Sequence, residues 1–265
     1  MSVISKEQYD FYWENGYLVV KGLVPKTVWG KLLENLRDFH DDKWSSVMNP
    51  DRIEYLIPQT LDMFPTDGRI KEQSEWVLYA MEVSKQVRKL MKDKRIAQTL
   101  EALYDGEVSA LMSHILWKEP NTPYAGQWWN PHQDNSYAKN PNGKYFTTNL
   151  FFQDASPENG MLNVYPGTHK YGLLPSEPHI SYHESPGLVP GNKTIFPEDY
   201  DSLNSKVDLH VEAGDFLVLH GDCVHGSYPN TTDRSRALLS ASYVTKGAYF
   251  DPGLSAQRKE ISLRD

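Results

Sequence analysis

Hydrophobic residues near the start of the chain recur at helical spacing and then switch to the pattern of a strand. Ser5 and Gln8 have the spacing of a helix-capping pair, and Gly16 is suited to end a helix of about ten residues. The segment Tyr17–Val20 is rich in β-branched and aromatic residues and predicts a short strand. Pro25 then opens a second predicted helix. The apolar side of that helix is formed by Val28, Leu32, Leu33, Leu36 and Phe39.

Farther along, the pattern divides the chain into a helical part and a β-rich part. Residues 70–104 predict one or two helices with an apolar stripe of Trp76, Tyr79, Val83, Val87 and Leu90. Strand-like segments separated by Gly, Pro and Asn turns follow at Val108–Trp117, Tyr145–Phe152, Met161–Tyr165, Val207–Val211, Phe216–Leu219 and Leu238–Val244. We therefore expect one domain, largely helical over 1–105 and mainly β over 106–250, with a C-terminal tail over 251–265.

A long stretch from Gly172 to Asn204 contains five prolines and no clear periodicity. Long loops in compact domains often act as lids, so a lid-like insertion at about 172–204 is one interpretation. The other is a surface insertion that only covers an edge of the β-rich part.

Composition and charge restrict the class of protein. The chain has 265 residues, of which 39% are hydrophobic and 23% charged, as in a soluble globular protein. No apolar run approaches the roughly 20 residues that span a bilayer, and no secretory signal is recognisable, which predicts a cytoplasmic protein. The net charge of -8 disfavours nucleic acids and anionic membranes as partners, so an anionic ligand would need local cations. The single cysteine, Cys223, excludes an internal disulfide framework and is expected to pack as a small apolar side chain.

Candidate metal ligands lie in the β-rich part. His132 and Asp134 are two residues apart, and in an extended segment the period of two would direct both side chains to the same face. His225 offers a third ligand, and His220 is its rival near the end of one predicted strand. Two histidines and one carboxylate leave metal positions open, as in non-haem Fe(II) oxygenases. Because the H-x-D pattern also occurs by chance, hydrogen-bonded structural residues are the alternative.

Arg236 is the candidate cation for an anionic ligand. It lies eleven residues after His225, where a polar segment leads into an apolar strand. A guanidinium at a strand start can form a bidentate pair with a carboxylate. The alternative is an ordinary ion pair with Asp215 or Asp222, and Arg234 is the next candidate.

These residues, in this order, resemble the phytanoyl-CoA dioxygenase (PhyH-like) family of Fe(II)- and 2-oxoglutarate-dependent oxygenases. The motifs that carry the resemblance are His132-x-Asp134, Glu158-Asn159-Gly160, Pro166-Gly167-Thr168-His169, Gly214-Asp215, His225-Gly226-Ser227 and Arg236. The segment from Phe11 to Val20 also resembles the opening of the family, so the likeness covers most of the chain. Pro131 stands where many members have tryptophan, which affects only the local loop shape.

The resemblance implies a mainly β fold with α-helices: a double-stranded β-helix (jelly-roll, cupin-like) core with N-terminal helices packed on it. It implies an enzyme that uses Fe(II), 2-oxoglutarate and O2 to hydroxylate or otherwise oxidise a C–H bond of a small molecule, releasing succinate and CO2. Relatives that halogenate replace the carboxylate ligand by a small residue, so the presence of Asp134 favours hydroxylation or a related oxidation.

The resemblance also implies roles for individual residues. Iron is expected to bind His132, Asp134 and His225. The distal carboxylate of 2-oxoglutarate is expected to bind Arg236 and Ser227. Two further residues, on one face of a predicted strand, occupy positions where relatives contact the cosubstrate, with hydrogen bonding inside the barrel as the alternative: Thr147 and Asn149.

Other histidines and aromatics have open interpretations. His169 matches a family turn rather than a ligand, and His114 could face the cosubstrate or the core. Trp128, Trp129 and Tyr137 could contact an apolar or quaternary-ammonium substrate, or could simply pack. The alternatives to an oxygenase are a non-catalytic metal-binding jelly roll and a cupin-like isomerase or hydrolase. The oligomeric state stays open.

Overall fold

The structure is a computed structural model that describes residues 3–41, 76–78, 80–120, 128–179, 191–253 and 258–264. Its helices are α1 (Lys6–Asn15), α2 (Lys26–Asp41), α3 (Ala80–Val83), α4 (Lys85–Met91), α5 (Lys94–Leu103) and α6 (Asn135–Ala138), with a 3-10 helix over Thr168–Tyr171. Its strands are β1 (Tyr17–Val20), β2 (Trp76–Leu78), β3 (Val108–Lys118), β4 (Trp129–His132), β5 (Tyr145–Phe151), β6 (Leu162–Val164), β7 (Ser176–His179), β8 (Gly191–Thr194), β9 (Val207–Asp208), β10 (Phe216–His220), β11 (His225–Ser227), β12 (Arg236–Thr245) and β13 (Ile261–Ser262).

Two antiparallel sheets form the β core. The larger sheet has the order β1-β10-β5-β12-β3-β13, with β2 also paired to β3, and the smaller sheet has the order β4-β11-β6-β9. A buried cluster takes Phe151, Leu217 and Leu238 from the larger sheet and Leu162 and Val164 from the smaller one, so apolar side chains fill the space between the sheets. The expected jelly-roll core is confirmed.

The helices cover the outer face of the larger sheet. Side chains such as Phe146 and Leu150 of β5 join one buried cluster with Tyr12 of α1 and Leu100 of α5. The Tyr12 hydroxyl lies 2.6 Å from the Tyr104 hydroxyl, which ties α1 to the end of α5. In the part of the chain that the structure describes, no helix is both long and apolar enough to cross a membrane.

The start of the chain folds largely as its pattern predicts. The side chain of Ser5 accepts a hydrogen bond from the Gln8 amide, the Gln8 side chain accepts one from the Ser5 amide, and Gly16 ends α1 with φ at 81°. In α2 the predicted apolar side is wrong at one position. Val28 is exposed, and the adjacent Trp29 is buried instead, with its ring 5.4 Å from that of Phe152 and its indole N–H donating to the Val24 carbonyl at 3.0 Å. The side chains of residues 36 and 39 lie outside the described part.

The prediction of one or two helices over 70–104 is wrong in one segment. Residues 76–78 form β2, which pairs with β3, because the sheet offers this apolar run a hydrogen-bonding edge. The helical part after it is divided into three helices. Ser84 and Asp93 begin α4 and α5, and each side chain accepts a hydrogen bond from a backbone amide of the helix that follows. Residues 70–75 and 79 lie outside the described part.

The predicted strands of the β-rich part are all present, although β9 covers only Val207–Asp208 of the expected segment. Sequence patterns did not indicate β4, β11 or β13, which are short. β13 lies within the expected tail and pairs with β3 at the edge of the larger sheet. In the stretch from 172 to 204, β7 and β8 pair with each other and β8 lies against β4. Residues 180–190 of that stretch lie outside the described part, so the lid interpretation stays a prediction.

The packing of α5 on the sheet can be tested by comparing two leucines. Leu100 is fully buried in the helix–sheet cluster, whereas Leu203 is 90% exposed. We expect Leu100→Ala to lower the free energy of unfolding by about 2–5 kcal/mol, because it removes buried methyl groups and leaves a cavity. Leu203→Ala should change it by less than about 0.5 kcal/mol. Urea denaturation measures both, and equal effects would contradict the described packing.

Candidate active site and metal centre

Two histidines face each other across the smaller sheet. β4 and β11 are antiparallel, and His225 is the direct register partner of His132. Their ring centroids are 4.4 Å apart, and both residues are buried. A register irregularity between His225 and Ser227 brings Trp129 opposite Ser227. The pairing of two distant segments therefore places both imidazoles on one face.

Asp134 reaches the two histidines from a turn and not from the strand. β4 ends at His132, and Asp134 has helical dihedral angles (φ -65°, ψ -27°) at the start of α6. Its Oδ1 lies 3.6 Å from His132 Nε2, and its Oδ2 lies 3.6 Å from His225 Nε2. The assumption of an extended H-x-D segment is wrong, because the chain turns at Gln133, but the three side chains meet. One potential ligand atom from each residue lies within 4.8 Å of the others.

The hydrogen bonds of the two histidines occupy Nδ1 and leave Nε2 of each ring available to a metal. His132 Nδ1 lies 2.7 Å from the Asn130 carbonyl, and His225 Nδ1 lies 3.0 Å from the Cys223 carbonyl. Because a carbonyl can only accept, each Nδ1 carries the proton and each Nε2 offers a lone pair. Both Nε2 atoms are the ones directed at Asp134.

Burial and mutual charge shape the ionisation of the three residues. Burial raises the pKa of Asp134, but the positive charge that His225 and His132 carry when protonated, together with the hydrogen bond from Thr147, outweighs it, so the pKa lies well below its usual range. Burial lowers the pKa of His132, and the Asp134 carboxylate more than offsets this and raises it. For His225 burial prevails and the pKa is lowered. Asp134 is therefore a carboxylate at neutral pH.

The turn between the two ligands is anchored by Gln133, a residue that sequence reasoning did not select. Its side-chain nitrogen donates to the carbonyls of Gly172 (2.8 Å) and Asp222 (2.7 Å). Its side-chain oxygen accepts from the Leu174 amide at 2.7 Å. The turn is thereby joined to the start of the 172–204 stretch and to the loop before β11. No local pattern reveals this, since all three partners are distant in sequence.

Thr147 and Asn149 lie on the face of β5 that points between the sheets. The Thr147 hydroxyl donates to Asp134 Oδ2 at 2.7 Å and so orients the carboxylate. Asn149 is buried and is the register partner of Ser240 in β12 and of Leu217 in β10. Thr147 thus supports a candidate ligand directly, which is a different contact from the expected one with the cosubstrate.

His220 and His169 lie away from this cluster. The ring of His220 packs between Trp13 and His169, with ring centroids 6.0 and 5.1 Å away, and its Nδ1 accepts from the Asp222 amide at 3.1 Å. Burial and the neighbouring His169 lower the pKa of His220 to about 3. His169 Nε2 lies 3.0 Å from the Trp13 carbonyl, which connects the 3-10 helix to α1. The structure thus brings His225, and not His220, to the cluster.

Arg236 is buried and begins β12. Its guanidinium donates to the Gly160 carbonyl at 2.8 Å. The two carboxylates expected as ordinary ion-pair partners of Arg236 bind other groups. Asp215 accepts from Lys21 and from the Gly22 amide, each at 2.8 Å, and Asp222 accepts from Asn135.

Gly160 allows the close approach of Arg236. Its φ is 92°, and a Cβ at this position would lie 2.6 Å from Lys118 Cδ and 3.3 Å from an Arg236 nitrogen. The expected turn geometry is present, and steric room is a second reason for glycine. Lys118, which sequence reasoning missed, is the direct register partner of Arg236.

His114 of β3 lies on the face that points between the sheets, as Thr147 of β5 does. Burial, followed by the charge of Arg258, lowers the pKa of His114 to about 4 despite the opposing effect of Asp134. Arg258 also donates to the Tyr137 and Asp251 carbonyls at 3.3 and 3.4 Å. His114 is therefore neutral and lies within electrostatic reach of Asp134. Of its two expected positions, this favours the one that faces the cosubstrate over the one in the core.

The two tryptophans before His132 have different surroundings. The ring of Trp129 lies 5.7 Å from that of His132, whereas Trp128 is 54% exposed and packs at 5.0 Å against Tyr228. A cavity of about 170 Å³ beside them has no candidate metal ligand among its lining residues, which are Trp128, Trp129, Asn130, Pro131, Asn163, Tyr165 and Lys206.

Cys223 is fully buried among the apolar side chains between the sheets. Burial raises the pKa of its thiol to about 12, so it is not a thiolate at neutral pH. It packs as the sequence predicts.

The donor set fits Fe(II). Two imidazole nitrogens and one carboxylate oxygen lie within 4.8 Å of one another, and each imidazole is held in the tautomer that can coordinate. This is the ligand set of non-haem iron oxygenases.

The model of the family described as phytanoyl-CoA dioxygenase (PhyH) matches residues 12–238, which is most of the chain. The chain belongs to the PhyH family. The peroxisomal phytanoyl-CoA dioxygenase of Homo sapiens is 24% identical over 255 residues, which cover 94% of this chain and 71% of that protein. The recognition made from the motifs is confirmed.

Solved structures share the fold of this PhyH-family chain. EctD from S. alaskensis, with 2-oxoglutarate and 5-hydroxyectoine, has a TM-score of 0.69 at 18% identity and covers 99% of this chain and 87% of its own. The epimerase SnoN, in complex with Fe3+, alpha ketoglutarate and nogalamycin RO, has a TM-score of 0.66 at 22% identity, and the match covers 98% of this chain and 95% of the SnoN chain. Family membership and the His-Asp-His cluster together confirm the expected class, an Fe(II)- and 2-oxoglutarate-dependent dioxygenase.

The contact of Thr147 with Asp134 predicts a measurable effect on metal binding. Thr147→Val removes the hydroxyl that orients the carboxylate, and we expect Fe(II) affinity to fall about 10- to 100-fold. The matched control is Thr148→Val, because Thr148 is also buried but points to the opposite face of β5. Anaerobic titration with Fe(II) measures both. Equal affinities in the two variants would show that the hydroxyl does not support the metal site.

Proposed function

We propose that the iron of this PhyH-family dioxygenase is bound by His132, Asp134 and His225, and that the enzyme oxidises a C–H bond of a small molecule. The observation that carries the proposal is the convergence of one ligand atom from each residue within 4.8 Å. The protonation of both histidines at Nδ1 supports it, because coordination through Nε2 then needs no rearrangement.

The iron supplies activation of O2, with 2-oxoglutarate as the reductant that is converted to succinate and CO2. The protein residues bind and orient the reactants. Asp134 provides the negative charge that a divalent metal requires, and Thr147 fixes which carboxylate oxygen stays available. Both histidines are buried, which would limit the access of water to a metal bound by them.

Arg236 and Ser227 are proposed to hold the distal carboxylate of 2-oxoglutarate. Both are buried, as a dry carboxylate site requires. Ser227 ends β11, and the carbonyl of the next residue, Tyr228, accepts a hydrogen bond from Lys118, the cross-strand partner of Arg236. Arg236 and Ser227 therefore lie near one end of the space between the sheets. Asn149 lies on the inner face of β5 and is proposed to contact the cosubstrate.

The substrate is proposed to enter beside β4, at Trp128 and Trp129, and to contact Tyr137 of α6 as well. Trp129 has the stronger support, because its ring approaches that of His132. Tyr137 follows Asp134 by one helical turn and its carbonyl binds Arg258. Gln133, in the same turn, binds the Gly172 carbonyl and the Leu174 amide, which supports a lid role for the stretch from 172 to 204.

Replacing each of the two rival histidines by alanine tests the ligand assignment. His225→Ala should abolish stoichiometric Fe(II) binding and succinate formation, since it removes one of three ligands. His220→Ala should retain stoichiometric iron, because its ring packs against Trp13 and His169. Metal analysis after anaerobic loading measures both. Iron retained by the first variant and lost by the second would overturn the assignment.

The two tryptophans provide a matched test of the substrate site. A thermal-shift screen of small metabolites with 2-oxoglutarate and Fe(II), or an inert substitute metal, identifies a ligand. We expect Trp129→Ala to reduce or abolish that ligand's shift, because the indole lies beside His132. Trp128→Ala should have the smaller effect, since its ring packs on Tyr228. If both variants show the shift of the unchanged protein, neither indole contacts substrate.

A further inference from the structure

An arginine from the end of the chain lies beside α6, the helix that follows Asp134. Arg258 is half-buried, and its Nη1 donates to the Tyr137 carbonyl at 3.3 Å and to the Asp251 carbonyl at 3.4 Å. The Tyr137 amide in turn donates to the Asp134 carbonyl at 3.1 Å. The guanidinium therefore binds the backbone one helical turn after a candidate iron ligand, although the two residues are distant in sequence.

The chain is fastened on both sides of Arg258. Its own amide donates to the Pro252 carbonyl at 2.7 Å. Two residues later, Glu260 Oε1 accepts from the Ser109 hydroxyl at 2.8 Å and from the Gly247 amide at 3.0 Å. β13 then pairs with β3 at the edge of the larger sheet. The position of Arg258 is thus set by the fold, and it is not that of a loose chain end.

The guanidinium has a donor to spare. Its Nε is buried and has no hydrogen-bond partner among the residues that the structure describes. The neighbouring carboxylate of Asp251 binds other groups, since it accepts from the Gly253 amide at 2.8 Å and lies 3.5 Å from the Lys139 ammonium. A buried donor without an acceptor costs free energy, and an anion bound at Nε would remove that cost.

The space that Arg258 borders lies between the sheets. On the inner face of β3, His114 and Leu116 are only half-buried, whereas the other residues of that strand are buried. After the larger effect of burial, Arg258 lowers the pKa of His114 and Asp134 raises it. Burial and Asp134 raise the pKa of Tyr145 on β5, and Arg258 opposes them. The cation and the carboxylate therefore lie within electrostatic reach of the same two side chains and border one space.

We propose that Arg258 binds a carboxylate of the primary substrate, so that the enzyme oxidises an organic acid held between this arginine and the iron. This inference rests on the proposed function, because it requires iron at Asp134. A guanidinium binds a carboxylate through two parallel N–H donors, and the buried Nε supplies one of them. One guanidinium compensates the single charge of a carboxylate but only part of the charge of a phosphate group.

The charge of the whole chain makes such a local cation necessary. A net charge of -8 opposes an anionic substrate outside the protein. Arg236 is proposed to bind the cosubstrate, so a second acid needs a cation of its own. The alternative role of Arg258 is structural, in which its two bonds to carbonyls only fasten the chain end to α6.

Simple acids, each compared with its uncharged amide, test the proposal. The probes are the straight-chain acids from butyrate to decanoate and phenylacetate. The protein is loaded with Fe(II) and saturating 2-oxoglutarate under nitrogen, so the cosubstrate fills its own site and no turnover occurs. We expect acids, and not their amides, to raise the melting temperature. In isothermal titration, Arg258→Gln should weaken the tightest acid about ten- to a hundredfold, the loss of a hydrogen bond between charged groups.

Two further variants separate charge from structure. Arg258→Lys keeps the cation and should lose less affinity for the acid than Arg258→Gln does. Arg264→Gln is the matched control, because Arg264 is an exposed arginine of the same chain end that pairs with Glu101 at 2.7 Å. It removes one positive charge away from the space between the sheets and should leave the affinity for the acid within about twofold.

Three results would overturn the role of Arg258. They are equal binding of acids and amides by the unchanged protein, no stabilisation by any of the acids, and an unchanged affinity for the tightest acid in Arg258→Gln. The first two need no variant, so they hold even if Arg258→Gln does not fold. Titrations of the unchanged protein with Fe(II) and 2-oxoglutarate identify a failure of the proposed function. Normal binding of both, with any of the three results, contradicts only the inference about Arg258.

Discussion

The antiparallel pairing of β4 with β11 holds two histidines from distant parts of the chain on one face of a small sheet. A shift of one residue would direct one imidazole to the opposite face, so the register specifies the site as well as the fold. The loops at the ends of these strands depend on the same pairing. Asn130 and Cys223 supply the carbonyls that fix the histidine tautomers, and Gln133 links the turn to Asp222 beside β11.

β5 connects the site between the sheets with the helix-covered side of the domain. Its alternate residues serve two layers: Phe146 and Leu150 pack under the helices, while Thr147 and Asn149 face the space between the sheets. The position of the Thr147 hydroxyl is therefore set by the helix–sheet core on the other side of the same strand. The Thr147 hydroxyl keeps the position from which it orients Asp134 because β5 is a central strand, paired with β10 on one side and β12 on the other.

Sequence reasoning succeeded where the signal is local or where motifs recur in a fixed order. The capping pair Ser5 and Gln8, the turn at Gly160 and the order of His132, Asp134 and His225 all belong to this kind. It failed where a distant segment decides the outcome. Residues 76–78 become a strand because β3 pairs with them, and Gln133 and Lys118 gain their importance from partners that are distant in sequence. Neither of these two residues has a neighbour in sequence that would reveal it.

Charge is distributed along the inner face in a way that suits the proposed cosubstrate. β12 begins at Arg236 and passes Ser242, the register partner of Thr147, so Arg236 and the Thr147 hydroxyl that orients Asp134 belong to the same inner face. Asp134 alone does not neutralise a divalent metal, which leaves the metal attractive to an anion as well. In the proposed arrangement, one carboxylate of 2-oxoglutarate faces the metal and the other faces Arg236, although the chain as a whole carries a net charge of -8 that opposes an anion outside.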